Sequence, residues 1–177
     1  MFNQWIHRLH ARWGNEAFAA PVGFAEAMVE AYGETYGTVL ELGSGFTTLV
    51  LDRLLRPRSI VSLDQSPEWI VEPPHAPSVR VVLAELEEHS GWYDEEVVRA
   101  ELYGRDPIGL VVCDGPYGGD RGGLMAISDL FRDDVLIIMD DCNREKERAI
   151  FRQWAADGWE CEIHTSKGRG VGYARRS

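Results

Sequence analysis

Positive charge is short in this sequence relative to negative. Its 177 residues carry 18 lysines and arginines against 29 aspartates and glutamates, a formal net charge of −11. Nucleic acids and anionic membranes attract proteins through basic surfaces, so this balance argues against both as partners. One basic cluster, "SKGRGVGYARR" at 166–176, reads as a solvated edge. Cysteine is scarce. Cys113, Cys142 and Cys161 are odd in number, match no zinc spacing, and read as reduced, mostly buried thiols of a cytoplasmic protein. Long apolar runs are missing: none approaches the ~20 residues of a membrane span. The opening "MFNQWIHRLHARWG" has no signal-peptide core. No repeat and no low-complexity segment is found.

What remains is the composition of a globular protein, 45% hydrophobic and 27% charged. The length suits one domain with a sizeable core. A single domain is expected over 1–177, a helical segment 1–37 leading into a core at 38–177. In "PVGFAEAMVEAYGE", Phe24, Met28, Ala31 and Tyr32 fall at helical spacing and Pro21 suits a first turn. Short apolar runs then alternate with amphipathic patterns: "TVLEL" (38–42), "SIVSLD" (59–64), "VRVVLAE" (79–85), "GLVVCD" (109–114) and "VLIIMDD" (135–141). "TTLVLDRLLR" sets Leu49, Leu51, Leu54 and Leu55 mostly on one helical face. "NREKERAIFRQWAADG" does the same with Ile150, Phe151 and Trp154, and stops at Gly158.

This alternation predicts an α/β fold, a Rossmann-like doubly wound sheet with right-handed crossovers. The last two runs, "WECEIHT" (159–165) and "GVGYARR" (170–176), are joined too closely for a parallel crossover. They predict an antiparallel hairpin closing a seven-stranded, mostly parallel sheet.

Carboxylates mark the strand ends: Glu41, Asp64, Glu85, Asp114, and Asp140 with Asp141. Parallel strands share their carboxyl edge, where ligands bind. Each acid alone reads as an ordinary polar strand end or turn residue; together they read as a lined rim. Beside the first lies "ELGSGFTT", with Gly43 and Gly45. A dinucleotide loop G-x-G-x-x-G would have a third glycine where Thr48 stands, and Glu41 would repel its pyrophosphate. A cationic nucleoside, S-adenosylmethionine, suits the charge better. Asp64 can hold the ribose of either ligand.

In order, these segments resemble the class I S-adenosylmethionine-dependent methyltransferases. "VLELGSGFTT" is similar to their first motif, "VSLDQSPEW" to the acidic motif of the second strand, and "GLVVCDGPYG" to the fourth motif. "VLIIMDD" and the closing hairpin follow in the family's order, so the likeness covers roughly 20–176. The resemblance implies that Gly43, Ser44 and Gly45 carry the methionine moiety and that Glu41 supports its ammonium. Asp64 would hold the ribose, Gln65 would lie beside the adenine, and Glu85 would face the adenine amino group. Asp114 would open the loop between methyl donor and acceptor.

"DGPYGGDR" followed by "LIIMDDCNRE" resembles small methyltransferases acting on hydroxyls of sugars or natural products. Catechol-type relatives hold Mg²⁺ at the places of Asp114, Asp140 and Asp141. The other reading of those residues is plain polar strand ends, with Asp141 or Asn143 capping a helix. Without a metal, Asp114 is the first candidate base and His164 the second, while His89 lies on the adenine side. Tyr117 lines the acceptor site, packs over the cofactor, or fills its loop. "DGPY" is also similar to the D/N-P-P-Y/F loop of nucleic-acid base methyltransferases, with Gly115 in place of proline. The acceptor pocket is expected from 87–107, 117–123 and the N-terminal helix. Trp92, Tyr93 and Tyr103 read as stacking platforms or core, and Arg121 as an anion partner or a solvent-facing helix start.

The leading expectation is O-methylation of a small molecule or glycan, with nucleic acid disfavoured as a partner, no membrane, and a homo-oligomer left open. An NAD-binding oxidoreductase, a base methyltransferase and a non-catalytic methyltransferase-like binder are the competing readings.

Overall fold

The computed structural model describes residues 4–14, 19–54, 58–74, 78–165 and 169–176. Seven strands form one sheet: β1 (Thr38–Leu42), β2 (Ile60–Asp64), β3 (Val79–Leu83), β4 (Ile108–Cys113), β5 (Phe131–Met139), β6 (Trp159–His164) and β7 (Val171–Arg176). Their order is β3-β2-β1-β4-β5-β7-β6. The first five are parallel, and β7 runs antiparallel to both β5 and β6. The expected parallel sheet with a closing hairpin is what the chain forms.

Helices cover both faces. α1 (Gln4–Trp13), α2 (Val22–Glu34) and α3 (Phe46–Leu51) pack on one side. α4 (Glu95–Leu102), a 3-10 segment Arg121–Leu130 and α5 (Glu145–Ala156) pack on the other. That double cover explains why β1, β2 and β4 are buried at every position and read as unbroken apolar runs. β6 has one face open, so Glu160, Glu162 and His164 alternate outward. Asp94 caps α4 by accepting the Glu96 and Val97 amides.

The structure differs from the sequence reading in places. β5 begins at Phe131, not at Val135, because Phe131 pairs with Ile108 before an irregularity displaces the register. Asp133 and Asp134 are exposed there, which hides the strand from an apolar-run criterion. Between β2 and β3 the described residues hold one 3-10 turn, Pro67–Trp69, and no longer helix. Leu55 and hairpin residues 166–168 lie outside the described residues, as do 1–3 and 15–18 of the N-terminal segment. Cys113, Cys142 and Cys161 are free thiols. No described helix is long and apolar enough to cross a membrane.

Candidate functional site

A cleft of about 880 Å³ runs along the carboxyl edge of the sheet, from the loop after β2 to the segment before β7. Its size falls within the range of small-molecule sites, roughly 300–1,000 Å³.

The floor is set by two loops in backbone contact. Gly43 has φ +91°, and a Cβ there would lie 2.8 Å from the Gly115 nitrogen. A Cβ on Gly115 would lie 2.6 Å from Tyr93 Oη and 2.8 Å from the Gly43 nitrogen. The Leu42 carbonyl accepts both the Asp114 and Gly115 amides, at 2.8 and 2.6 Å. This crowding is why glycine, and not proline, stands after Asp114.

The amides of the glycine loop are used internally. Gly43 N–H donates to the Leu63 carbonyl at 2.8 Å, Ser44 N–H to Asp64 Oδ2 at 2.9 Å, and Gly45 N–H to Thr48 Oγ1 at 2.9 Å. A pyrophosphate site needs such groups turned toward the ligand. Thr48 Oγ1 donates in turn to Glu41 Oε2 at 2.7 Å, and Ser62 Oγ donates to the same oxygen at 2.5 Å. The threonine at the third-glycine position therefore anchors the loop to Glu41.

Glu41 itself is a correction. It sits inside β1 opposite Ser62 and Val112, is 0% exposed, and does not line the cleft. Burial pushes its carboxyl up to about 7 despite the Ser62 and Thr48 hydroxyls. Its charge does not face a ligand; it holds the loop from beneath. Between its ordinary 4.5 and about 7, folded Glu41 keeps a proton that the unfolded chain releases, so stability falls as pH rises through that window. Glu41→Gln should remove this loss. The stability gap between variant and wild type is expected to widen from pH 5 to pH 8 by on the order of 3 kcal/mol, read by denaturant titration; a gap constant with pH would refute the assignment.

Asp64 ends β2 and lines the cleft. Its Oδ1 accepts the Ser66 amide at 2.9 Å. Burial raises its pKa, against the lowering effect of the Ser66 and Ser44 amides. Gln65 clasps the opposite loop: its Nε2 donates to the Tyr117 carbonyl at 2.7 Å and its Oε1 accepts the Tyr117 amide at 3.3 Å. Tyr117 is thus held by its backbone while its ring is 76% exposed. Trp69 also lines the cleft and was not singled out from sequence. The available signal was the aromatic closing "SPEW" directly after the acidic strand end.

At the far end, Asp114, Asp140 and Asp141 offer carboxylate oxygens within 4.8 Å of one another, the cluster the sequence placed there. Neither carboxylate oxygen of Asp140 has a well-formed hydrogen bond among the described residues; the Asp141 amide offsets only part of that cost. Burial raises the pKa of Asp140, and so does the charge of Asp114. Burial likewise raises Asp114, opposed by Arg121. Asp141 has φ 62°, a strained value for a non-glycine residue.

Arg121 faces inward, not solvent. It is 4% exposed. Its guanidinium donates to the Asp140 carbonyl at 2.8 Å, to the Asp114 carbonyl, and to Asp141 Oδ2 at 3.2 Å. The segment reads as a solvated helix start because no sequence pattern marks which arginine will be enclosed by acids from two strand ends.

The remaining candidates lie outside the cleft, and of the two readings of Trp92 and Tyr93 the core one holds. Glu85 is exposed and does not line the cleft; its carbonyl accepts the Asp94 amide at 2.8 Å. Trp92 and Tyr93 are core residues packed edge to face at 5.1 Å, and Tyr103 is 89% exposed. His164 lies out on β6 beside Glu162 and His89 beside Glu87, both away from the cleft. Of the expected acceptor walls, the 117–123 loop alone contributes. Arg144, Lys146, Glu147 and Arg169 line the cleft as well, although the sequence assigned them to a helix surface and a solvated tail.

No protein-family model and no curated protein sequence matches the chain. Solved structures do. A candidate caffeoyl-CoA O-methyltransferase from Staphylococcus aureus matches with TM-score 0.66 at 11% identity, covering 99% of this chain and 93% of that one. An O-methyltransferase from Bacillus cereus in complex with S-adenosylhomocysteine matches with TM-score 0.59 at 17% identity over 97% and 90%. The mycinamycin-pathway methyltransferase MycE, with Mg, S-adenosylhomocysteine and mycinamycin VI, matches with TM-score 0.58 at 14% identity over 97% and 48%. Strand order, the antiparallel hairpin and these neighbours agree: the chain has the fold of the S-adenosylmethionine-dependent methyltransferases.

Proposed function

We propose that this protein transfers a methyl group from S-adenosylmethionine to a hydroxyl of a small molecule or glycan. The observation that carries the reading is one cleft holding Asp64 at one end and Asp114 and Asp141 at the other, with Asp140 buried against those two, above a loop whose Ser44 and Gly45 amides are already satisfied. A ribose suits Asp64. The Gly43, Ser44 and Gly45 amides are spent inside the protein, which suits a phosphate-free nucleoside better than a pyrophosphate and disfavours NAD. The net charge of −11 and the crowding at Gly115 disfavour a base methyltransferase.

Asp114, Asp140 and Asp141 fit a hard divalent ion: their oxygens converge, and Asp140 is a buried carboxylate short of donors. Those residues would hold Mg²⁺, which when bound lowers the pKa of an acceptor hydroxyl. The neighbour MycE contains Mg. The chain's own groups do the rest. Asp64 and the glycine loop fix the nucleoside, so the acceptor approaches from the β4–β5 side. Arg121 holds the Asp114 and Asp140 carbonyls and the Asp141 carboxylate in one arrangement. Without the ion, Asp114, 21% exposed at its side chain, would take the hydroxyl proton as the new O–C bond forms and the C–S bond breaks.

Calorimetry tests the cofactor. S-adenosylhomocysteine is expected to bind, NAD is not, and Asp64→Ala should weaken the former about tenfold or more, on the order of 1.4 kcal/mol. A wild-type protein that ignores millimolar S-adenosylhomocysteine would sink the proposal. Binding without turnover across an acceptor screen would favour a non-catalytic role.

A further inference from the structure

We infer that the acceptor is an anion: a hydroxylated small molecule whose carboxylate or phosphate lies within a few bonds of the hydroxyl that is methylated. This rests on the methyltransferase reading above and adds the charge of its substrate.

Charged side chains lining the cleft are sorted by depth. Asp64, Asp141 and Glu147 are buried, at 6%, 4% and 4% exposure, and Asp114 is recessed. The charged side chains there that reach furthest into solvent are Arg144, Lys146 and Arg169, all cations, on a chain of net charge −11; Asp114 is 21% exposed at its side chain. A ligand entering from solvent meets them before it meets the acids.

The lining is formally balanced, with Arg121, Arg144, Lys146 and Arg169 against Asp64, Asp114, Asp141 and Glu147, so depth is what favours an anion: the cations stand toward solvent and the acids behind them. The Asp141 carboxylate is shared by Arg144 at 2.9 Å, Arg121 at 3.2 Å and Arg169 at 3.9 Å. Glu147 lies 4.0 Å from Arg121 and offsets that guanidinium. Lys146 donates to the Gly119 carbonyl, which positions its ammonium without neutralising it. The planar fork of a guanidinium matches a pair of oxygens on a carboxylate or a phosphate.

Topology sets where the anion sits. Arg144 follows β5 and Arg169 precedes β7, and those strands are neighbours; β4, which delivers Asp114, adjoins β5 on its other side. Adjacent strands are about 4.8 Å apart. A hydroxyl over Asp114 therefore places a group a few bonds away against the basic rim.

The test uses protein saturated with S-adenosylhomocysteine, titrated calorimetrically with inorganic pyrophosphate and with citrate. The wild type is expected to bind at least one of them. The double variant Arg144→Gln/Lys146→Gln should lose at least tenfold in that affinity, as should wild type on addition of sodium chloride, with S-adenosylhomocysteine affinity unchanged. Pyrophosphate alone points to a phosphorylated acceptor, citrate alone to a carboxylate. Equal affinity in variant and wild type, no anion binding by cofactor-loaded protein, or RNA bound more tightly than either probe would overturn the inference. Failure of the wild type to bind S-adenosylhomocysteine would instead remove the reading beneath it. A second arm compares radiolabelled methyl transfer into pools of hydroxy acids and sugar phosphates with transfer into neutral glycosides and phenols; turnover confined to the neutral pool also overturns it.

Discussion

Asp140→Asn is expected to stabilise the protein at pH 8 and to cut methyl transfer by roughly 10–100-fold or more. The two effects have one cause. Asp140 is 0% exposed with both carboxylate oxygens short of hydrogen-bond donors. An acid whose pKa rises on folding costs stability above its unfolded value, and the cost grows as pH climbs. Relieving a buried, poorly solvated carboxylate is worth about 1–3 kcal/mol, and each kcal/mol shifts the melting temperature by roughly 2–4 °C at this size. The gap between variant and wild type should be small near pH 4 and wide at pH 8. Mg²⁺ should raise the wild-type melting temperature by mass action and leave the variant unmoved. A residue kept at a cost to stability is the mark of a site selected for function. An Asn variant less stable than wild type, or wild-type turnover undiminished in excess chelator, would count against this account of the cluster.

Gly115→Ala is expected to cost roughly 1–3 kcal/mol and to weaken S-adenosylhomocysteine binding at least tenfold. The added methyl would lie 2.6 Å from Tyr93 Oη, 2.8 Å from the Gly43 nitrogen and 3.0 Å from Gly43 Cα. Two of these are backbone atoms of the glycine loop, and they cannot move without opening the Gly43–Leu63 and Ser44–Asp64 hydrogen bonds. Gly33→Ala is the control. It lies in α2 with nothing within 4 Å of the added carbon, so it should gain about 0.5–1 kcal/mol and leave binding alone. Equal behaviour of the two variants in chemical denaturation and calorimetry would discard the loop-contact argument.

Strand count, strand order class and the meeting of Asp114 with Asp140 and Asp141 were legible because each rests on a local rule. Strands covered on both faces leave unbroken apolar runs, and the acid ending such a run arrives at the shared carboxyl edge. Glu41 shows where that rule stops. All five positions of β1 are buried, so nothing in the local pattern marks that this carboxylate turns under the loop toward Ser62 and Thr48. Glu85 fails for a related reason: the chain leaves β3 at Leu83, before the acid is reached, and carries it out to solvent.

The sequence by itself determined an α/β chain with a carboxylate-lined edge beside a bare loop, since burial, period and strand length are written residue by residue. Which charges stand over that edge was decided by the tertiary structure. Asn143 N–H donates to the Arg169 carbonyl at 3.0 Å and Cys142 N–H to the Gly170 carbonyl at 3.0 Å, because β7 inserts between β5 and β6. That insertion sets Arg169 beside Asp141 and Arg144. Residues remote in sequence become neighbours through strand pairing, and no composition or period records with which strand a hairpin will pair.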